Sequence, residues 1–206
     1  MVTAYDANQV SNGAKPAIDT TIPYRMEITV VGSAPLLFHG WNTEAVAEKG
    51  SAGKGTKAKK TDNLESYVNR NEEHHLCIPG KNFHASLIEA GRYLQDPRSP
   101  RKSLRDLCRA GIVPLTLLAP FEPLTQVWDY EDRQRVTVQR AGITRTRPAM
   151  KPGWRVTFDM LINTPEYFPP EVMAALAGSA GRLVGLCDFR PTYGRFSVAG
   201  MRPLEA

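Results

Sequence analysis

The chain has 206 residues, an apolar fraction of 42% and a formal net charge of +5. This length fits one domain with a sizeable core, and the lack of any run of about 18 apolar residues argues against a membrane-spanning helix. Residues 1–22 lack the basic start and apolar core of a signal peptide, so we expect a flexible tail there and a single domain over 23–206.

Three cysteines, an odd number, are spread widely along the chain at Cys77, Cys108 and Cys187. Disulfide frameworks use even numbers of cysteines in an oxidising compartment. We therefore expect free thiols and a cytoplasmic protein.

Basic residues concentrate in three segments. Such clusters are typical of a protein that binds a polyanion, with solvated faces of a basic protein as the alternative. The first segment is rich in Gly and Ala, and we expect residues 44–63 to form a mobile basic loop. The clusters are Lys49, Lys54, Lys57, Lys59 and Lys60; Arg92, Arg98, Arg101, Lys102, Arg105 and Arg109; and Arg133, Arg135, Arg140, Arg145, Arg147, Lys151 and Arg155.

The first half of the chain alternates between strand and helix patterns. Alternating apolar residues predict a strand over 24–31, which ends at a break over 32–35. Apolar residues at helical spacing then predict a helix over 81–94 and a helical turn over 103–110. The apolar run over 112–118 predicts a buried strand.

Residues 128–147 have the pattern of a β-hairpin with a turn near 140–142. One face of this hairpin consists almost entirely of arginine, threonine and glutamine. A two-stranded ribbon with so little apolar surface is poorly stable alone. We therefore expect residues 128–151 to form an arm or edge that meets a partner.

The last third of the chain predicts a strand, a helix and a final strand. Val156, Phe158, Met160 and Ile162 alternate with polar residues over 154–162. A helix opens at 169–170, where proline is tolerated, and the final strand covers 195–201. The helix has an apolar stripe formed by Val172, Met173, Leu176 and Leu183.

Without its insertions, the chain has the order βαββαβ. This order predicts an α+β protein of the ferredoxin-like or RRM-like plan, with two helices on one face of an antiparallel sheet.

In the segment Gly181–Phe196, two arginines and two aromatic residues lie between Gly181 and Gly194. Glycine lets the backbone approach a ligand closely, and arginine has a planar fork suited to phosphate. A helix cap followed by a structural loop is the alternative interpretation. Arg190 and Tyr193 are the best candidates for ligand contact in this segment.

Three motifs resemble those of the repeat-associated mysterious proteins, the superfamily that includes backbone and guide-processing subunits of CRISPR effector complexes and that has uncharacterised phage-encoded relatives. They are Gly32–His39 (GSAPLLFH), Ile78–Leu87 (IPGKNFHASL) and Gly181–Phe196, which ends in GLCDFRPTYGRF. The resemblance implies an RRM-derived fold that binds single-stranded nucleic acid, usually RNA. It also implies copies that assemble side by side along the strand, with an arm reaching the neighbour.

We therefore predict a protein that binds single-stranded RNA, or DNA, and that forms homo-oligomers or joins other subunits of a nucleoprotein complex. Cationic side chains would neutralise phosphates and aromatic rings would stack on bases. The predicted contact residues are Lys54, Lys57, Lys59, Lys60, Lys81, Arg133, Arg135, Arg140, Arg145, Arg147, Arg190, Tyr193 and Arg195.

Two alternatives follow from the same resemblance. Guide-processing members cleave RNA without a metal through a histidine near the first helix, which points to His84 assisted by Lys81 or Tyr93. A protein that copies this fold to occupy a place in a larger complex, as a subunit or an inhibitor, is the second alternative.

Metal and cofactor chemistry is not expected. His74, His75 and Cys77 are residue types that bind zinc, but their spacing matches no standard closed site. Other family members use an aspartate after the first strand with a metal ion, and no aspartate stands in residues 32–41. Nucleotide-binding motifs are also absent from the sequence.

Overall fold

The structure, a computed structural model, describes residues 19–40, 63–138 and 141–206, without the side chains of 136–143. Residues 1–18 of the expected tail lie outside the described residues, as do Arg140 and all but the last residue of the expected basic loop. Within the described ranges, no helix is long and apolar enough to cross a membrane.

The described residues form twelve strands and three α-helices. The strands are β1 (Tyr24–Gly32), β2 (Leu36–Leu37), β3 (Asn69–Arg70), β4 (Leu76–Pro79), β5 (Gln95–Asp96), β6 (Ser99–Ser103), β7 (Ile112–Pro114), β8 (Leu118–Pro120), β9 (Tyr130–Val138), β10 (Ala141–Met150), β11 (Arg155–Ile162) and β12 (Phe196–Glu205). The helices are α1 (Gly80–Ala90), α2 (Arg105–Gly111) and α3 (Pro170–Ser179), and a π-helical turn (Ala180–Val184) follows α3.

Four antiparallel strands form the central sheet, in the spatial order β12-β1-β11-β7. Alternate residues of β1 and β11 are buried, and the register places Ile28 opposite Phe158 on the core face. This is the period of two that a strand with one buried face requires. The chain is thus a mixed α+β protein with antiparallel sheets, as predicted.

The helices α1 and α3 cover the core side of the central sheet. Phe83 of α1 stacks on Phe158 of β11 with ring centroids 4.5 Å apart, and its ring also lies 5.9 Å from that of Phe196. Met173 and Leu176 of α3 are fully buried in the same core. Pro170 occupies the first helical turn of α3, where its missing N–H leaves no hydrogen bond unmade.

The opposite face of the central sheet is polar. Arg25 is paired there with Asp159, Arg202 with Glu27, and Thr29 with Thr157. None of the described side chains on this face is aromatic.

The strands β9 and β10 form a long antiparallel hairpin, whose base continues into β2. Directly opposed residues share a face, and the register pairs Arg133 and Arg135 with threonines of β10 and Gln134 with Arg145. Arg133 and Arg135 therefore lie on one face, whereas Arg145 and Arg147 lie on the other.

Two apolar segments differ from the sequence-based expectation. The stretch over 112–118 is not one buried strand, because β7 ends at Pro114 and Leu115 and Leu117 are 42% and 84% exposed. The stripe of the last helix is also shorter than expected, because Leu183 is 43% exposed. Both predictions relied on apolar character alone, which does not determine burial at a sheet edge or in a final helical turn.

Candidate nucleic-acid interface

Three segments that are distant in sequence meet beside the N-terminal half of α1. The Asp188 N–H donates to the carbonyl of Leu37, and the Gly194 N–H donates to that of Pro35. The Asn82 amide donates to the Cys187 sulfur over 3.7 Å. The loop over 185–195 is thereby held against both the segment that follows β1 and the first turns of α1.

Glycines close this C-terminal loop, defined as residues 185–195. The Leu186 N–H donates to the Gly194 carbonyl, and a Cβ atom at Gly194, where φ is +70°, would lie 1.9 Å from the Leu186 oxygen. Only glycine fits this approach. Cys187 and Phe189 also have positive φ values, 62° and 52°. Such backbone angles persist only where surrounding contacts hold them, and they concentrate at functional sites.

Asp188 is the polar centre of the C-terminal loop. Arg147 Nε donates to Asp188 Oδ2 over 3.0 Å, and His39 Nδ1 lies 3.4 Å from the same oxygen. The Arg147 guanidinium also lies 4.3 Å from the centre of the Tyr67 ring. Because the Arg147 side chain is only 5% exposed, it fixes the position of the loop rather than presenting charge to solvent.

Two clefts lie between α1 and the C-terminal loop. The narrow cleft has a volume of about 130 Å³ and is lined by His39, Asn82 and Ala85 together with loop residues. The wide cleft has a volume of about 520 Å³ and reaches Glu89 and Tyr93. Cys187, Asp188 and Arg190 line both clefts, so the two are neighbours on either side of these residues, and we refer to the pair as the groove.

The groove follows one face of α1. Asn82, Ala85 and Glu89 are spaced three and four residues apart, which puts them on one side of a helix. The path from Asn82 to Tyr93 is about 18 Å long, at about 1.5 Å per residue to the end of α1 and about 2.0 Å per residue in the 3-10 turn that follows. This spacing was available in the sequence, but only the loop packed against it identifies the face as a groove.

The rim of the groove at the start of α1 is positively charged. Lys81 and Arg190 are exposed, and neither forms an ion pair with a carboxylate in the described part of the chain. The first turn of α1 has no acidic residue and no side-chain cap. The positive end of the helix dipole therefore adds to the charge of the two side chains.

The burial of Cys187 raises the pKa of its thiol to about 12. The thiol is therefore protonated at neutral pH and lines the groove as a small, uncharged side chain rather than as a nucleophile.

Of the predicted contact residues, only Arg190 lines the two clefts in the described part of the chain; Lys81 directly precedes the lining residue Asn82 in α1, and Arg195 ends the C-terminal loop. The Arg195 Nε donates to the Pro191 carbonyl over 2.7 Å, which leaves its side chain exposed but anchored to the loop. The lysines of the expected basic loop and Arg140 lie outside the described residues, where the structure says nothing of their contacts. They are Lys54, Lys57, Lys59, Lys60 and Arg140.

The hairpin arginines divide into two groups. Arg133 and Arg135 are exposed on one face, and the Arg133 side chain is 73% exposed. Arg145 and Arg147 lie on the face turned toward the C-terminal loop. Arg147 is buried with Asp188, so it is not part of the exposed cationic surface.

Tyr193 links the hairpin to the C-terminal loop. Its hydroxyl accepts a hydrogen bond from Gln134 Nε2 over 2.8 Å and lies 3.4 Å from Asp132 Oδ2. Its ring contacts Phe189 edge-on, with centroids 6.2 Å apart. Tyr193 therefore helps to fix the base of the hairpin.

His84 lies on α1 but lines neither of the two clefts. Its Nε2 is 3.4 Å from the Cys108 carbonyl, and burial lowers the pKa of its imidazole below the ordinary value. Lys81 is exposed near the start of the same helix, and Tyr93 is exposed beyond its end. Metal-independent RNA cleavage by His84 stays a prediction, tested by comparing cleavage in chelator with and without the His84→Ala substitution.

The three residues considered for zinc, His74, His75 and Cys77, lie just before and within the start of β4. Cys77 is buried with a raised pKa, and His75 Nδ1 faces Glu73 Oε2 at 3.2 Å. In the described ranges, no group of three or more His, Cys, Asp or Glu side chains is arranged to hold a metal ion.

Comparison with known proteins identifies a fold likeness. No protein-family model matches the chain, and no curated protein matches it by sequence. The chain is similar in structure to a chain of the Type III-B Cmr-beta bound to cognate target RNA, solved by cryo-EM, with a TM-score of 0.51 and 9% sequence identity. The alignment covers 89% of this chain but only 61% of that chain.

Proposed function

We propose that this chain is a single-stranded nucleic-acid-binding protein of ferredoxin-like fold, with RNA favoured over DNA. The observation that carries the proposal is the groove between α1 and the C-terminal loop. There the three motif segments meet, and exposed cations stand beside a helix N-terminus.

The sheet order supports the ferredoxin-like part of the proposal. When β1, β7, β11 and β12 are counted as the four strands of a βαββαβ unit, their spatial order is fourth, first, third, second. The helix α1 precedes the second of these strands, and α3 precedes the fourth. The remaining strands are insertions between these elements.

We place the ligand in the groove because the exposed face of the central sheet lacks aromatic residues among those described. RRM-type proteins bind RNA by stacking bases on aromatic residues of the sheet face. Here the described residues of that face carry ion pairs and threonines in place of aromatic rings. The aromatic side chains Tyr93 and Phe189 instead line the groove, so we place the ligand there.

Electrostatics support a polyanionic ligand at the same place. Lys81 and Arg190 have no carboxylate partner among the described residues, so they can neutralise phosphates without breaking an existing ion pair. The carboxylate of Asp188 at the floor is already paired with Arg147, which limits its repulsion of a strand. The chemistry can bind and position a nucleic acid without a catalytic group.

Binding to short labelled oligonucleotides tests this proposal. We expect single-stranded RNA and DNA to bind at low salt, with weaker binding at higher salt and weak binding of a duplex of the same length. Each phosphate contact contributes about 0.7 to the slope of log affinity against log salt for single strands. Lack of binding at low salt to either single strand would contradict the proposal.

Self-assembly along the strand is a second part of the proposal. Arg133 and Arg135 are exposed on the hairpin face opposite the one that Tyr193 contacts through Gln134. We propose that this hairpin reaches a neighbouring copy or another subunit. The Type III-B Cmr-beta, one chain of which has a similar fold, was solved bound to cognate target RNA, which supports RNA as the strand.

A further inference from the structure

We infer that the wide cleft is a base-stacking subsite, in which Tyr93 stacks on one nucleobase of the bound strand without reading its identity. This inference rests on the proposed function. The observation that carries it is the wall composition of the cleft, in which an exposed tyrosine faces a loop that carries an aromatic ring, an arginine and a proline.

The walls of the wide cleft suit a flat, largely apolar group. Tyr93 is 64% exposed and Leu183 is 43% exposed, although both are large apolar side chains at the same opening. Phe189, Arg190 and Pro191 form the facing wall. Base–aromatic stacking favours every nucleobase, because each base has a π-face.

The charges in the cleft favour a base there over a phosphate. Apart from Arg190, no described side chain that lines the cleft is positively charged, so the interior of the cleft has little to pair with a phosphate. Arg190 lies at the exposed margin of the same cleft, where it can pair with the phosphate of the nucleotide. The base therefore enters the cleft while the backbone stays at the rim.

The carboxylates that could select a particular base are already engaged. Glu89 is paired with Arg92 at 3.0 Å and with Arg105 at 2.8 Å. Asp188 accepts hydrogen bonds from Arg147 and from the Phe189 N–H. We therefore expect stacking that tolerates all four bases.

Tyr93 is better placed for this role than Tyr193. The Tyr193 hydroxyl is held by the hairpin and its ring is packed against Phe189. Tyr93 follows α1 in a short 3-10 turn, and its ring is free to meet a base. Its exposure also means that its truncation leaves the core intact.

The test is equilibrium binding of a labelled single-stranded oligo-U to the wild-type chain and to two variants, Tyr93→Ala and Tyr93→Phe. We expect Tyr93→Ala to weaken binding by about 5- to 150-fold, the range for loss of one stacked aromatic ring, and Tyr93→Phe to keep wild-type affinity. Leu117→Ala, which removes a more exposed apolar side chain outside the groove, is the matched control and should have no effect.

A scan with one abasic nucleotide at each position of the oligonucleotide locates the stacked base. On the shortest strand that retains full affinity, which leaves only one register, an abasic nucleotide at one position should weaken binding of the wild-type chain and leave the affinity of Tyr93→Ala unchanged, since the stacking partner is already absent. The same scan with each of the four bases at that position should change affinity little.

The outcomes separate this inference from the proposed function. If the wild-type chain binds and Tyr93→Ala binds equally well, the stacking subsite is wrong while nucleic-acid binding stands. If the wild-type chain binds no single strand at low salt, the proposed function fails first. Uridine monophosphate is added as a competitor for the same cleft. If it displaced the strand at concentrations similar to those at which the strand itself binds, the cleft would be a site for free nucleotides and not for a strand.

Discussion

At the residue scale, Arg147 shows how a cation in a basic cluster can hold the fold together. Its guanidinium lies between the Asp188 carboxylate and the face of the Tyr67 ring, and its side chain is 5% exposed. Cation–π contact and a buried ion pair both gain strength away from water. This arrangement joins the hairpin strand β10 to the C-terminal loop.

Replacing Arg147 with alanine should destabilise the protein by about 3 kcal/mol, because the Asp188 carboxylate would lose its buried partner. Arg133→Ala is the matched control from the same hairpin, since Arg133 is 73% exposed and its nearest carboxylate oxygen is 3.9 Å away. We expect that control to change stability by less than about 0.5 kcal/mol. Urea unfolding of both variants measures the difference, and equal losses would remove Arg147 from this structural role.

His84 should make stability depend on pH. Burial lowers the pKa of its imidazole below the ordinary value of 6.5, so the unfolded chain binds more protons in acid than the folded chain does. The contribution of His84 is therefore complete above the ordinary pKa and is lost as pH falls through the folded-state pKa. The free energy of unfolding of His84→Gln should fall less than that of the wild-type chain between neutral and acid pH. Parallel pH profiles would contradict this expectation.

At the element scale, the π-helical turn after α3 brings the chain into close contact with β12. A Cβ atom at Gly181 would lie 2.1 Å from the carbonyl oxygen of Phe196. A Cβ atom at Gly178, one turn earlier in α3, would have no neighbouring atom of the described residues within 4 Å. Only one of the two glycines is therefore required for packing.

Gly181→Ala should destabilise the protein by about 1–3 kcal/mol or more, because the contact is with backbone that cannot move freely. Gly178→Ala should be neutral or stabilising by up to about 1 kcal/mol, since alanine favours a helix. Thermal unfolding of the pair gives the comparison. A similar change in melting temperature for both variants would show that the close approach does not limit this turn.

Local sequence patterns predicted the strands and helices of this fold better than they predicted the contacts between them. The alternation of Val156, Phe158, Met160 and Ile162 predicted β11, and the paired prolines at 169–170 predicted the start of α3. The burial of Arg147 was not predictable, because it depends on Asp188, 41 residues further along the chain. The division of the hairpin arginines between two faces depends on strand register, which a list of basic residues does not contain.

The sequence predicted the segments of the candidate site but not the contacts between them. The C-terminal loop and the start of α1 each carry glycine and basic residues, which favoured a groove between them. The role of Tyr93 was not predictable, because its value as a stacking platform comes from the loop that faces it across the wide cleft. A lone tyrosine after a helix has no such signal in its own segment.

At the scale of the whole molecule, assembly along a strand has a direct readout in particle mass. Mass photometry of the chain with oligonucleotides of increasing length should show complexes that grow by one protomer at a time. Reversing charge on the exposed hairpin face, with Arg133→Glu and Arg135→Glu, should stop this growth if the hairpin contacts the next copy. A single protomer on every length of strand would contradict self-assembly.

Stable association with other subunits after the basic clusters are neutralised would favour the alternative role in a larger complex.

The most direct test of the central claim is the salt dependence of binding of single-stranded RNA to the wild-type chain and to Arg190→Ala. We expect weaker binding by the variant and a slope of log affinity against log salt that is shallower by about 0.7, since one phosphate contact is lost. Arg202→Ala removes another exposed positive charge, at the polar sheet face, where Arg202 is paired with Glu27, and should keep the wild-type slope. Identical slopes for Arg190→Ala and the wild-type chain would contradict a nucleic-acid interface at this groove.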